Sequence, residues 1–257
     1  MFINNFDPVA IKILAFEIRW YSLAYIFGII LGWFYCKKFL IKNVKILNLF
    51  DDIIVYIILG IILGGRLGYV IFYNPIYYIN NPIEIFMIWG GGMSFHGGVV
   101  GTIIATYLFS KKNNIDTFIF LDLIAMSAPI GIFLGRIANF INSELYGKET
   151  EIFWSVKFIN VDNLYRHPSQ IYEALLEGVI LFLLLNFAFK KFLIKNGTIS
   201  ALFLIYYSIF RFFVEFTREP DAQLGYLLLN LTMGQIISVV FFIAGLFLFH
   251  FKNEHKN

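Results

Sequence analysis

Charge is what this chain has least of. Only 14% of its 257 residues are Asp, Glu, Lys or Arg, against about 25% in soluble domains. A single cysteine, Cys36, excludes an intramolecular disulfide. Beside Lys37, at the expected inner end of a span, Cys36 reads as a small buried hydrophobe rather than a nucleophile. There is no H-E-x-x-H pattern and the four histidines are scattered, so no metal site is expected. The chain also lacks G-x-S-x-G and a P-loop, which removes the serine-hydrolase and P-loop nucleotide readings. Without an internal repeat, an inverted-repeat transporter is disfavoured. The first residues do not run from a basic stretch through an apolar core to a cleavage site, so no removable signal peptide is expected.

Apolar residues fill the space that charge leaves. They make up 59% of the chain, at a mean hydropathy of +0.75. A soluble protein of this length cannot bury that much apolar surface, which leaves an all-α polytopic membrane protein. About seven transmembrane helices are expected, over 20–36, 53–71, a third span ending near 109 that either includes the glycine-rich segment or is partly re-entrant, 118–134, 167–190, 198–214 and 227–251. Lysines collect at 37–45, 111–112, 190–195 and 252–256. Positive loops face the cytoplasm, so the N-terminus is expected outside and the C-terminus inside. Residues 1–257 then form a single transmembrane domain. Within it, 137–168 is a small external head, and an outer turn falls at 221–226.

All six arginines lie outside the lysine clusters. A lone arginine near a span end is commonly a snorkelling anchor, and Arg19 and Arg166 fit that role. Arg66 and Arg211 fit it less well, because a mid-span arginine costs about 2.5–3.5 kcal/mol. Arg66, Arg211, Tyr21, His96 and Glu173 lie 14–17 residues from their cytoplasmic markers, which places them roughly 21–26 Å above the inner face. Arg136 counts to about 30 Å. Helical spacing puts Tyr207, Arg211, Glu215 and Arg218 on one face, Gln170, Glu173 and Glu177 on another, and, if 135–147 is helical, Arg136, Asn139 and Ser143 on a third, with Asn142 pointing elsewhere. Arg211–Glu215 alone could be an ordinary i,i+4 pair, and His96 alone an ordinary structural histidine. Glycines around His96 allow close approach of backbone and ligand. Taken together these residues point to an intramembrane anion site, suited to the phosphate of an outer-leaflet phospholipid.

Four stretches carry a resemblance: FHGG at 95–98, GRIANFIN-ELYG at 135–147, HPSQIYEALLEG at 167–178 and RFFVEFTREPDAQLG at 211–225. In this order the chain resembles the prolipoprotein diacylglyceryl transferase family. Ser143 stands where that family usually has Gly, and Lys148 where it often has Arg. The resemblance implies transfer of the diacylglyceryl group of phosphatidylglycerol to the thiol of the lipobox cysteine of preprolipoproteins. A thioether forms and glycerol phosphate leaves, with no cofactor and no nucleic acid involved. It also implies the bacterial cytoplasmic (inner) membrane, with the active site towards the outer leaflet. Arg136 and Arg211 are then expected to clamp the lipid phosphate, and Arg66, Asn139, Gly147 and Glu215 to belong to the same phosphatidylglycerol site. His96 takes the thiol proton, with Glu144 or a water as the alternative base. Asn139, Glu144, Tyr21 and Tyr207 orient headgroup and arginines, Glu215 holds Arg211, and Gly147 permits a tight turn. The competing class is a non-catalytic phospholipid-binding or lipid-translocating membrane protein.

Overall fold

The computed structural model describes residues 1–13, 16–191, 195–220 and 225–254, apart from the side chains of Phe95, His96, Leu228, Asn253 and Glu254. Of the expected outer turn, 221–224 therefore lie outside the described residues. Five helices are long and apolar enough to cross a membrane: Trp20–Leu40, Val44–Phe72, Thr117–Ile141, Ser169–Lys191 and Met233–Lys252. The shorter helices Phe95–Lys112 and Thr198–Val214 occupy the two remaining expected positions. The chain is a polytopic, predominantly helical membrane protein.

In chain order the elements are β1 (Phe2–Asn4), β2 (Val9–Ile13), β3 (Phe16–Arg19), α1 (Trp20–Tyr35), α2 (Val44–Phe72), α3 (Pro75–Asn80), α4 (Phe95–Lys112), α5 (Thr117–Ile141), β4 (Val156–Phe158), β5 (Tyr165–Arg166), α6 (Ser169–Glu173), α7 (Leu181–Lys191), α8 (Thr198–Val214) and α9 (Met233–Glu254). A π-helical stretch, Ala174–Ile180, joins α6 to α7. The residues group into two compact units, 37–121 and the remainder.

In the 37–121 unit, α2 begins well before the span expected at 53–71. Its cap is Asn43, whose Oδ1 accepts from the Lys45 amide at 2.8 Å. Asp51 lies within the helix and binds Lys37 Nζ at 2.9 Å. Helices α2 and α4 meet through glycine: a Cβ at Gly101 would lie 2.0 Å from the Gly60 carbonyl oxygen, and one at Gly97 would lie 2.3 Å from that of Gly64. With no side chain between them, the two backbones touch. The FHGG stretch is thus the first turn of α4, whereas Gly90–Gly92 precede it in a turn.

In the other unit, α1 lies against α5 where a Cβ on Gly28 would come within 3.1 Å of Gly131 Cα. Cys36 is fully buried there, its thiol 3.4 Å from the Leu123 carbonyl oxygen. Asp122, a carboxylate inside an apolar helix, is explained by α8. It accepts from the Gly197 amide at 2.7 Å and from the Ser200 amide at 2.8 Å, capping that helix from outside. The segment 137–168, expected as the head, is joined by strand from the start of the chain. Strand β1 runs parallel to β4, and β4 runs antiparallel to β5. Asn4 is fully buried and donates to the Phe140 carbonyl at 2.6 Å. Ahead of the first span, Phe2–Asn4 therefore add a strand to β4, and Val9–Ile13 and Phe16–Arg19 form the β2–β3 hairpin.

Candidate functional site

The expected motif at 135–147 ends α5 with a specific backbone device. The Glu144 amide donates to the Asn139 carbonyl (2.9 Å), and the Ser143 amide to that of Phe140 (3.2 Å). This crossed pair is a Schellman cap, and it requires a left-handed residue at Ser143, whose φ is +57°. The region favours glycine, so Ser143 holds a backbone conformation that costs a side-chain-bearing residue energy. Because the helix stops at Ile141, the helical alignment of Ser143 with Arg136 and Asn139 does not hold. The cap instead ties Asn139 to Glu144 a second time, side chain to side chain, at 3.2 Å.

Gly147 departs from its expected role in an instructive way. Its φ is not positive; the left-handed residues here are Ser143 and Leu145. A Cβ at Gly147 would lie 2.4 Å from the His167 carbonyl oxygen and 2.8 Å from that of Thr217. Gly147 is therefore needed for close approach of three strands of chain rather than for a turn. Its amide donates to His167 O (3.0 Å) and its carbonyl accepts from Arg166 Nη1 (3.1 Å). Arg166 also binds Asp162 at 2.6 Å and Glu219 at 3.2 Å and lies over the Tyr146 ring, so it organises the head rather than snorkelling.

Three arginines and three glutamates form one cluster, in which Arg211, Arg218 and the three glutamates are buried and Arg136 is partly exposed. Glu173 and Glu177 are fully buried. Glu173 is shared: Arg136 Nε reaches its Oε2 at 2.9 Å, Arg211 Nη1 donates to its Oε1, and Arg218 Nη1 lies 3.5 Å from the same oxygen. Glu177 is a looser partner, 3.4 Å from Arg136 and 3.8 Å from Arg211. Arg211 Nη2 also binds Glu215 at 2.5 Å. The π-helical stretch carries Glu177, and Gly178 within it has no room for a Cβ, which would lie 2.7 Å from Phe133 Cβ. That closeness brings both carboxylates to α5 and Arg136.

Glu215 is held from a second side. Thr232 Oγ1 donates to it at 2.9 Å, while Thr232 and Gln235 bond each other reciprocally as the capping box of α9. A carboxylate at a helix N-terminus gains from the helix dipole. The expected seventh span thus starts at Met233 rather than Leu227, and T-x-x-Q at 232–235 was the readable signal.

The expected residues are distributed as follows. Arg136, Arg211 and Glu215 come together in the cluster, with Tyr207 buried one turn before Arg211 and within electrostatic reach of both arginines. Asn139, Glu144 and Gly147 line the junction with the head, where Gln170 Nε2 donates to the Glu144 carbonyl at 2.6 Å. The Tyr21 hydroxyl is 3.2 Å from that of Tyr25. Arg66 and residue 96 belong to the 37–121 unit. The Arg66 guanidinium rests on main-chain carbonyls there, and the His96 side chain lies outside the described residues. Glu173, Glu177 and Arg218, placed by helical spacing on the polar faces but given no role in the expected reaction, are central to the cluster. Outside the spans, burial pushes the His167 imidazole below its ordinary value, and the Lys148 ammonium pushes the same way.

Comparison with known proteins bears on what such a cluster does. The family model described as prolipoprotein diacylglyceryl transferase matches residues 8–251. A protein of Rickettsia felis is 50% identical over 249 residues, covering 95% of this chain and 96% of its own. One from Wolbachia pipientis is 47% identical over 248 residues, covering 95% and 94%. One from Ehrlichia ruminantium is 48% identical over 257 residues, covering 98% and 99%. All three are named phosphatidylglycerol–prolipoprotein diacylglyceryl transferase.

Proposed function

The chain belongs to the prolipoprotein diacylglyceryl transferase family, and from that premise we propose how its clustered arginines carry the reaction. It is a multi-pass membrane transferase that moves the diacylglyceryl group of phosphatidylglycerol to prolipoproteins. The non-catalytic lipid handler is thereby set aside. In our reading the acceptor is the thiol of a lipobox cysteine. The enzyme sits in the bacterial inner membrane as one transmembrane domain, N-terminus out and C-terminus in, with 137–168 outside and the site towards the outer leaflet. No nucleic acid or cofactor enters the scheme.

In the reaction the thiol loses its proton and sulfur bonds to the glyceryl carbon. The bond from that carbon to the phosphate oxygen breaks, and glycerol phosphate leaves with one more negative charge than the donor phosphate carried. Donors fixed in advance at that oxygen lower the barrier most. Arg136 and Arg211 supply them. The observation that carries this role is the state of Arg136: Nε and Nη2 are fixed by Glu173 and Glu177, while Nη1 has no partner among the described residues. The cluster is balanced, Arg136, Arg211 and Arg218 against Glu173, Glu177 and Glu215. An anion is therefore recognised by directed N–H groups on pre-oriented guanidiniums rather than by bulk positive charge. His96 takes the thiol proton, since a thiol near its ordinary pKa of about 8.5 is mostly un-ionised at neutral pH. Tyr21, Tyr207, Asn139 and Glu144 orient the headgroup and the arginines, and Glu215 holds Arg211.

The assay is purified full-length protein in detergent with phosphatidylglycerol and a lipobox peptide, scored by glycerol phosphate release. Parent protein releases it, whereas Arg136→Ala and Arg211→Ala bind donor lipid weakly. Unchanged lipid affinity in both variants rejects the clamp, and near-normal turnover in His96→Asn rejects the base.

A further inference from the structure

Arg66 was expected beside the lipid phosphate, yet its donors are already committed. The side chain is 5% accessible. Nε donates to the Ile85 carbonyl at 2.9 Å, Nη2 to that of Glu84, and Nη1 to those of Gly91 and Gly92, the last at 3.2 Å. The Tyr78 ring covers the guanidinium at 5.1 Å. Four of its five N–H groups are thus held by main chain.

What these carbonyls belong to matters. Gly91 and Gly92 both have positive φ, +83° and +81°, and Gly91 is otherwise extended, with ψ −171°. The glycine turn they make aims two neighbouring carbonyls at one Arg66 nitrogen. Two residues later the Ser94 amide donates to Gly65 O at 2.8 Å, next to Arg66 in the chain. Ser94 Oγ then caps α4 by accepting from the Gly97 amide. Residue 96 lies in the first turn of the helix so anchored. The side chain of Arg66 and the carbonyl of Gly65 together fix where α4 begins and how it is aimed.

We infer that Arg66 is a positioning residue for the transfer reaction: it clasps the Gly91–Gly92 turn, thereby sets the first turn of α4 with His96, and is not a ligand of the donor phosphate. The inference rests on the transfer reading above and on His96 as proton acceptor. Lysine cannot replace the clasp, because one ammonium lacks the planar fork that spans carbonyls at 84, 85, 91 and 92. Gly92→Ala disturbs the same turn independently, since a Cβ there would lie 2.4 Å from the Tyr69 ring on a backbone of positive φ.

The test compares parent, Arg66→Lys, Gly92→Ala and the double variant as full-length protein, by amide hydrogen exchange over 84–98 and by transfer kinetics. Arg66→Lys speeds exchange in that segment and lowers kcat about tenfold, with the phosphatidylglycerol KM within about twofold of parent. Gly92→Ala shows the same split, and the double variant is no slower than the slower single, as expected of two lesions in one turn. A lipid KM raised about tenfold at unchanged kcat in Arg66→Lys makes the residue a phosphate ligand and overturns the inference. So do multiplicative losses in the double variant, or unaltered exchange over 84–98. Should Arg66→Lys fail to fold, the kinetic split in Gly92→Ala decides. A parent that releases no glycerol phosphate defeats the transfer reading, and exchange still decides the clasp.

Discussion

Replacing Glu173 with glutamine should damage this protein more than replacing any other carboxylate of the cluster. The residue is fully buried and has three arginines within 3.5 Å. Glutamine keeps the shape and one acceptor oxygen but removes the charge, leaving three cations facing two anions. Breaking a buried ion pair from one side costs about 3–5 kcal/mol. The retained acceptor places Glu173→Gln near the lower figure, which in a chain of this size lowers the melting temperature by about 6–12 °C. Glu177→Gln is the internal control. Its carboxylate is equally buried but stands 3.4 and 3.8 Å from its arginines, so the loss should be about half as large. Activity should fall further than stability, since Arg136 and Arg211 take their direction from Glu173, and a misplacement of about 1 Å at a reacting centre costs about a hundredfold. Thermal unfolding in detergent and glycerol phosphate release read the two effects separately. If Glu177→Gln melts as low as Glu173→Gln, or Glu173→Gln melts within a degree of parent, Glu173 is not the shared anchor and the cluster has been misread.

The Schellman cap gives a stabilising substitution. Ser143→Gly relieves a left-handed backbone worth about 1–2 kcal/mol, offset by about 0.4–1 kcal/mol of added freedom in the unfolded chain, so thermal unfolding should shift upward by a few degrees or not at all, and a fall would contradict the cap. The head supplies the pH dependence. Because burial first, and Lys148 second, depress the His167 pKa in the folded state, the unfolded chain binds the proton more readily. The His167 contribution is then fully present above the ordinary histidine value of about 6.5 and is lost as pH falls below it. Melting temperatures from pH 7.5 to 5.5 should therefore drop more in parent than in His167→Gln, and equal drops would exclude this group.

Much of the helical skeleton could be read directly, because a bilayer leaves few alternatives to a long apolar helix. The polar residues within it were legible as faces. Tyr207, Arg211, Glu215 and Arg218 share a side because helical spacing dictates it, and the structure puts Arg211, Glu215 and Arg218 in one cluster. Which partner each charge would choose was not legible. Arg211–Glu215 looked like a local pair, yet Arg211 also reaches across to Glu173 on another helix. That choice depends on the π-helical stretch and on Gly178 against Phe133, and neither has a periodic signature. Arg66 shows the same gap. Its depth could be counted, but whether it meets a ligand or the carbonyls at 84–92 depends on a glycine turn of two residues at positive φ. The lead-in was opaque for another reason. Strand β1 has three residues, and its partner lies about 150 positions away.

That distance has a consequence for how the molecule is made. Phe2 pairs with Val156 and Asn4 with Phe158, so the first strand leaves the ribosome long before anything exists for it to pair with. Contacts so far apart in sequence form late and slowly. During that interval Phe2 and Ile3 carry an unpaired strand edge, the kind of surface that invites pairing with the wrong chain. The β1–β4 pairing can therefore form only after α1 to α5 have been synthesised, while α6 to α9 are still to come.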